Sequence, residues 1–208
     1  AKNALFFPAY LSEIASHGFV VVADGPPIAR PAGAPPAGGG GPPPGAGGPP
    51  PGGGSGPPAD RFTMVNGTTL VAAMDWLEAQ SNDRNSRFYK KVNVERIAAM
   101  GMSCGGLMSY GASNDPRVAT VGIWNSGLFE DERNAKIYAG IHSSVIIVTG
   151  GESDIAYANG KRDFEVMPPR VPAFYGVHPA VGHGGTYNQD NGGPFGVVAV
   201  AWLKWQLQ

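Results

Sequence analysis

Short, mainly apolar runs alternate along this chain with stretches whose apolar residues recur at helical spacing. The apolar runs are Phe19–Ala23, Ile97–Met102, Val118–Trp124, Ser144–Thr149 and Val171–Val177. Runs of this length, rich in β-branched residues, fit strands buried on both faces, as in parallel sheets covered by helices. Between them, Phe6–His17 reads as a helix, with Tyr10, Leu11, Ile14 and Ala15 on helical spacing and Gly18 as its stop. Thr68–Gln80 is a second helix, with Leu70, Val71, Met74 and Leu77 on one face and Trp76 nearby. Leu107–Ala112 is a third, ending near Asn114-Asp115-Pro116. Glu130–Ala139 reads as a short polar helix or loop. Ala156–Met167 is helical up to Pro168-Pro169, and Gly196–Leu207 is a terminal amphipathic helix carrying Trp202 and Trp205. Strands alternating with helices predict an α/β fold with a mostly parallel sheet, a single domain over 1–208.

Composition changes this picture in one place. The 208 residues include 32 glycines and 20 prolines, a quarter of the chain, yet half of them lie between Gly25 and Pro58. That block, 25–58, has no aromatic residue and Arg30 as its one charge, so it has almost nothing to bury and reads as a low-complexity insertion. Elsewhere 42% apolar content suits a globular core. A net charge of -1 offers nothing to nucleic acid or an anionic membrane surface, and no apolar run is long enough to span a bilayer. Cys104, the single cysteine, has no intrachain partner and is expected to pack as a small buried hydrophobe.

The chemistry centres on Gly101-Met102-Ser103-Cys104-Gly105-Gly106, placed between an expected strand and an expected helix. A serine on so tight a turn projects its hydroxyl above the sheet, and the glycines let strand and helix pass without Cβ clashes. The Cys104 N–H then lies where an oxyanion would form. A serine hydroxyl needs a base, and the base an orienting carboxylate. Asp154 follows the Ser144–Thr149 strand, and His183, flanked by Gly182 and Gly184, follows the last strand. Glu152 and His178 compete for the same roles. His17 and His142 precede a helix stop and a strand, and Asp24 precedes the serine in the chain, which suits a cap or a cleft wall better. Trp124 and Asn125, at the end of the strand after the serine, are candidate cleft-wall, substrate-binding residues. The scheme calls for no metal and no organic cofactor.

These stretches, together with Leu11–Val21, Gly150–Asp154 and Gly182–Thr186 through to Trp202–Gln206, resemble the α/β-hydrolase superfamily. The similarity is to its esterase branch, with dienelactone-hydrolase-like and polyester-hydrolase or cutinase-like members. The resemblance implies a serine esterase acting on small-molecule or polymeric esters through Ser103, His183 and Asp154, in an extracellular setting. Peptidase or acyltransferase chemistry on the same triad, or a catalytically silent binding module, are the alternatives. Such enzymes carry further strands before the first helix, and the loop just ahead of it gives a second oxyanion N–H. The resemblance therefore implies an N-terminally truncated chain, with that donor missing or among Ala1–Phe7.

Overall fold

The computed structural model describes residues 7–23 and 60–208. The Gly/Pro-rich block, Asp24 and residues 1–6 lie outside them. The described residues form an α/β fold: four parallel strands, β1 (Ile97–Met102), β2 (Val118–Trp124), β3 (Ser144–Thr149) and β4 (Ala173–Val177), in the order β1-β2-β3-β4. Helices cover both faces. They are α1 (Pro8–Ser16), α2 (Thr68–Asn82), α3 (Cys104–Ala112), α4 (Asn134–Gly140), α5 (Tyr157–Glu165) and α6 (Gly193–Leu207). Among the described residues no helix is long and apolar enough to cross a membrane.

Each step from one strand to the next goes through one helix, α3, α4 or α5. Same-handed crossovers between successive neighbours put their helices on the same face of the sheet. Leu107 of α3, Tyr138 of α4 and Phe164 of α5 accordingly pack with Met74 of α2 against Val121, Ile123, Val145 and Ile147. The opposite face takes α1 and α6, where Tyr10, Ile14, Phe195, Ala199, Trp202 and Leu203 meet Trp124, Ile146 and Val148. All six residues of β3 are buried, and alternate ones feed the two cores. Each large aliphatic side chain there contributes roughly 1.5–3 kcal/mol of burial. That explains why this strand is the plainest in the sequence.

Several elements depart from expectation. Phe19–Ala23 is not a paired strand: it runs without regular secondary structure, and its backbone makes no hydrogen bond among the described residues. An apolar, β-branched run specifies an extended chain but not a neighbour, and among the described residues no strand pairs with it. Between this segment and the open side of β1 lies an apolar cavity of about 580 Å3, walled by Phe19, Val21, Met100, Met102 and Trp124. Helix α3 begins directly at Cys104, and α6 starts at Gly193, where Pro194 suits a first helical turn that needs no N–H. Helix α4 is shorter than the Glu130–Ala139 stretch, and β4 starts two residues after Val171. Trp76 and Trp205 are exposed, whereas Trp202 is buried and its indole N–H donates to Thr120 Oγ1 at 2.8 Å.

Candidate active site

Ser103 links β1 to α3 with φ 56° and ψ −121°, a conformation that L-residues rarely adopt. The neighbours hold it there. Its N–H donates to Trp124 O at 3.0 Å, and its carbonyl accepts from Ser126 Oγ at 2.7 Å and from Gly106 N–H at 2.9 Å. A Cβ on Gly101 would lie 2.2 Å from the Gly105 backbone, and one on Gly106 2.5 Å from Ser126. Both glycines are therefore required by close approach of strand, helix and the β2 loop.

The other side chains arrive on loops after β3 and β4. Gly150 and Gly182 press those loops together: Gly182 N–H donates to Gly150 O at 2.9 Å, and a Cβ on Gly150 would fall 1.8 Å from Gly182 O. His183 sits in a one-turn helix, with Gly182 and Gly185 both at positive φ. Its Nε2 is 3.0 Å from Ser103 Oγ and its Nδ1 is 2.7 Å from Asp154 Oδ1. Asp154 is buried, and its two oxygens take four hydrogen bonds. Ala156 N–H and His183 meet Oδ1; Gly150 N–H and Asn125 Nδ2 meet Oδ2. Burial alone would raise this carboxyl, but the bonds from His183, Gly150, Ala156 and Asn125 outweigh it and bring it down to about 2. With Asp154 ionised, the Nδ1–H tautomer of His183 is favoured, leaving Nε2 free to accept the Ser103 proton.

Ser103, His183 and Asp154 are thus brought together, and the competing residues are not. Glu152 is exposed, His178 packs edge-on to Phe195, and His17 bonds Glu13 at 3.0 Å. His142 is exposed at the other end of β3. Cys104 is exposed rather than buried: it is the first residue of α3 and borders the cavity. Its N–H, in the first turn, has no intrahelical acceptor. Trp124 and Asn125 are both buried. Trp124 does border the cavity, wedged between Tyr10 and Phe195. Asn125 instead turns its side chain inward to Asp154 at 2.7 Å. Ser126 and Tyr187 were not anticipated; the run Asn125-Ser126-Gly127 signals only a strand end, and a tyrosine four residues after a histidine signals nothing by itself. Among the described residues no three His, Cys, Asp or Glu side chains are grouped as a metal site requires.

Compared with known proteins, the chain matches no family model and no curated sequence.

Proposed function

We propose that this protein is a serine hydrolase of the α/β-hydrolase type that cleaves carboxylic esters. The observation that carries the reading is the hydrogen-bonded line Ser103 Oγ–His183 Nε2, His183 Nδ1–Asp154 Oδ1, at 3.0 and 2.7 Å, ending on a serine held in a strained turn. Ser103 Oγ bonds to the ester carbonyl carbon while its proton passes to Nε2. The carbonyl π pair moves onto oxygen, where the Cys104 N–H donates to it. Asp154 holds the imidazole and stabilises its protonated form. Collapse expels the alcohol, which takes the proton from Nε2, and water then releases the acyl group by the same steps.

The cavity that reaches Ser103 and Cys104 is walled mainly by apolar side chains, which supports an ester with an apolar acyl group. A fluorophosphonate probe is expected to label the folded protein at Ser103, and Ser103→Ala to abolish labelling. p-Nitrophenyl esters of graded chain length should be hydrolysed with a preference for the longer acyl groups. A folded protein that takes no probe overturns the reading; cleavage of peptide amides, or acyl transfer to an added alcohol in place of water, redirects it.

A further inference from the structure

We infer that Asn125, with Tyr187 behind it, is a positioning residue for the Asp154–His183 pair rather than a wall of the substrate cleft; this rests on the serine-hydrolase reading of the site. Asn125 follows β2 directly, has no exposed surface, and holds φ at 43°, a left-handed conformation that asparagine tolerates better than most residues. Its backbone N–H donates to Val148 O at 2.7 Å, which sets it against the end of β3.

The side chain is fully used. Nδ2 donates one hydrogen to Asp154 Oδ2 at 2.7 Å and the other to Gly182 O at 3.0 Å, while Oδ1 accepts from the Tyr187 hydroxyl at 2.5 Å. A flipped amide would set its oxygen against a carboxylate and a carbonyl and leave the tyrosine hydroxyl without an acceptor, so the orientation is forced. Tyr187 is 2% exposed, and burial pushes its phenol well above the usual range, which keeps it a donor. Its ring is fixed edge-on by Tyr10 and Phe195.

One amide therefore bridges the loop that carries Asp154 and the backbone next to His183. It occupies Oδ2, leaves Oδ1 to face Nδ1, and sets the separation of the two loops. Tyr187 fixes which end of the amide performs this. Asn125 does not line the cavity; the Tyr187 ring borders it, but its hydroxyl is turned to the Asn125 amide, so both act on the site through Asp154.

The test uses the full chain with Asn125→Ala, Asn125→Asp and Tyr187→Phe. Three quantities are read: melting temperature, kcat and KM on a p-nitrophenyl ester, and the low-field proton resonance of the His183–Asp154 bond. Losing a hydrogen bond to a charged group should lower kcat roughly ten- to a hundred-fold in Asn125→Ala, with KM nearly unchanged and the low-field resonance lost. Asn125→Asp, nearly isosteric but with an acceptor facing Asp154, should fall further. Tyr187→Phe is the milder variant and keeps the test valid if the others fail to fold: kcat down roughly ten-fold, the resonance shifted, KM unchanged. Folded variants with wild-type kcat and an unmoved resonance overturn the positioning role alone. A wild type that neither takes a fluorophosphonate nor turns over ester, but whose resonance still responds to Tyr187→Phe, leaves the positioning intact and removes the hydrolase reading.

Discussion

Asp154→Asn tests the site most sharply, because the substitution keeps shape and changes only which atoms accept. Asp154 receives Ala156 N–H and His183 on one oxygen and Gly150 N–H and the Asn125 amide on the other. An asparagine must turn its NH2 toward one of those pairs. Facing Gly150 and Asn125 it would oppose two donors. Facing Ala156 and His183 it opposes one fixed donor, and the imidazole can respond by presenting Nδ1 as an acceptor. That second arrangement costs less, and it moves the remaining ring proton to Nε2, aimed at Ser103. The serine then has no base, and kcat should fall by about four orders of magnitude. The orphaned Ala156 N–H should cost about 1–3 kcal/mol of stability at neutral pH. A pH signature accompanies this. A carboxyl held at about 2 in the folded protein, below its unfolded value, contributes stability that is complete above about pH 4 and is lost as pH falls toward 2. That contribution is about 2 kcal/mol, and Asp154→Asn lacks it at every pH. Urea denaturation of wild type and variant at pH 7 and near pH 2.5 should therefore show the stability gap narrowing in acid. A gap of equal size at both pH values, or a variant with more than a tenth of wild-type kcat, refutes the reasoning.

Gly101→Ala should abolish fluorophosphonate labelling and lower the melting temperature, since the added methyl meets the Gly105 backbone at 2.2 Å and only a shift of β1 against α3 relieves it; near-wild-type labelling would argue against the tight turn. Asp163 is buried, accepts from Leu128 N–H at 2.7 Å and Tyr138 Oη at 2.9 Å, and burial raises its carboxyl. The folded state therefore favours its proton, and its cost to stability eases as pH falls. Asp163→Asn can keep the Leu128 N–H on its amide oxygen only by turning its NH2 to the Tyr138 hydroxyl, which must reverse to accept, and toward Arg162 Nη2, itself a donor. It should cost about 1 kcal/mol at pH 7, whereas Asp163→Ala, which orphans the buried Leu128 N–H, should cost about 2 kcal/mol or more in chemical denaturation; equal large losses in both would contradict this. Cys104, exposed at the start of α3, should react with iodoacetamide in the native protein, and a thiol titrated only after denaturation would contradict its placement.

What the sequence made legible was whatever local chemistry decides. The six buried residues of β3 and the Gly-x-Ser-x-Gly turn after β1 could be read directly, because burial on both faces and a forced turn restrict residue choice position by position. Asp154 and His183 could be named because each follows a strand end at which loops converge. Phe19–Ala23 was misread as a strand because pairing is a property of two segments, and composition reports only one. The inward turn of Asn125 was hidden for a related reason. Its partners lie 29, 57 and 62 residues away, and nothing within the local window marks them. Cys104 was misjudged by residue type, since cysteine is usually buried but the first position of α3 borders the cavity.

The open side of β1 has a consequence for how the strand exchanges with solvent. In a parallel strand the N–H groups of alternate residues point to opposite sides. Ser103 N–H donates to β2 at Trp124 O, so Gly101 and Ala99 face the same way and share that protection. Ala98, Met100 and Met102 direct their amides into the cavity, where among the described residues no strand receives them. Hydrogen–deuterium exchange along β1 should therefore run in a two-residue rhythm, slow at Ala99, Gly101 and Ser103 and fast between them. Across β3, paired on both sides, every amide should be slow. Among the described residues the strand that leads into Ser103 is anchored along one flank, and its protection factors are where that asymmetry registers.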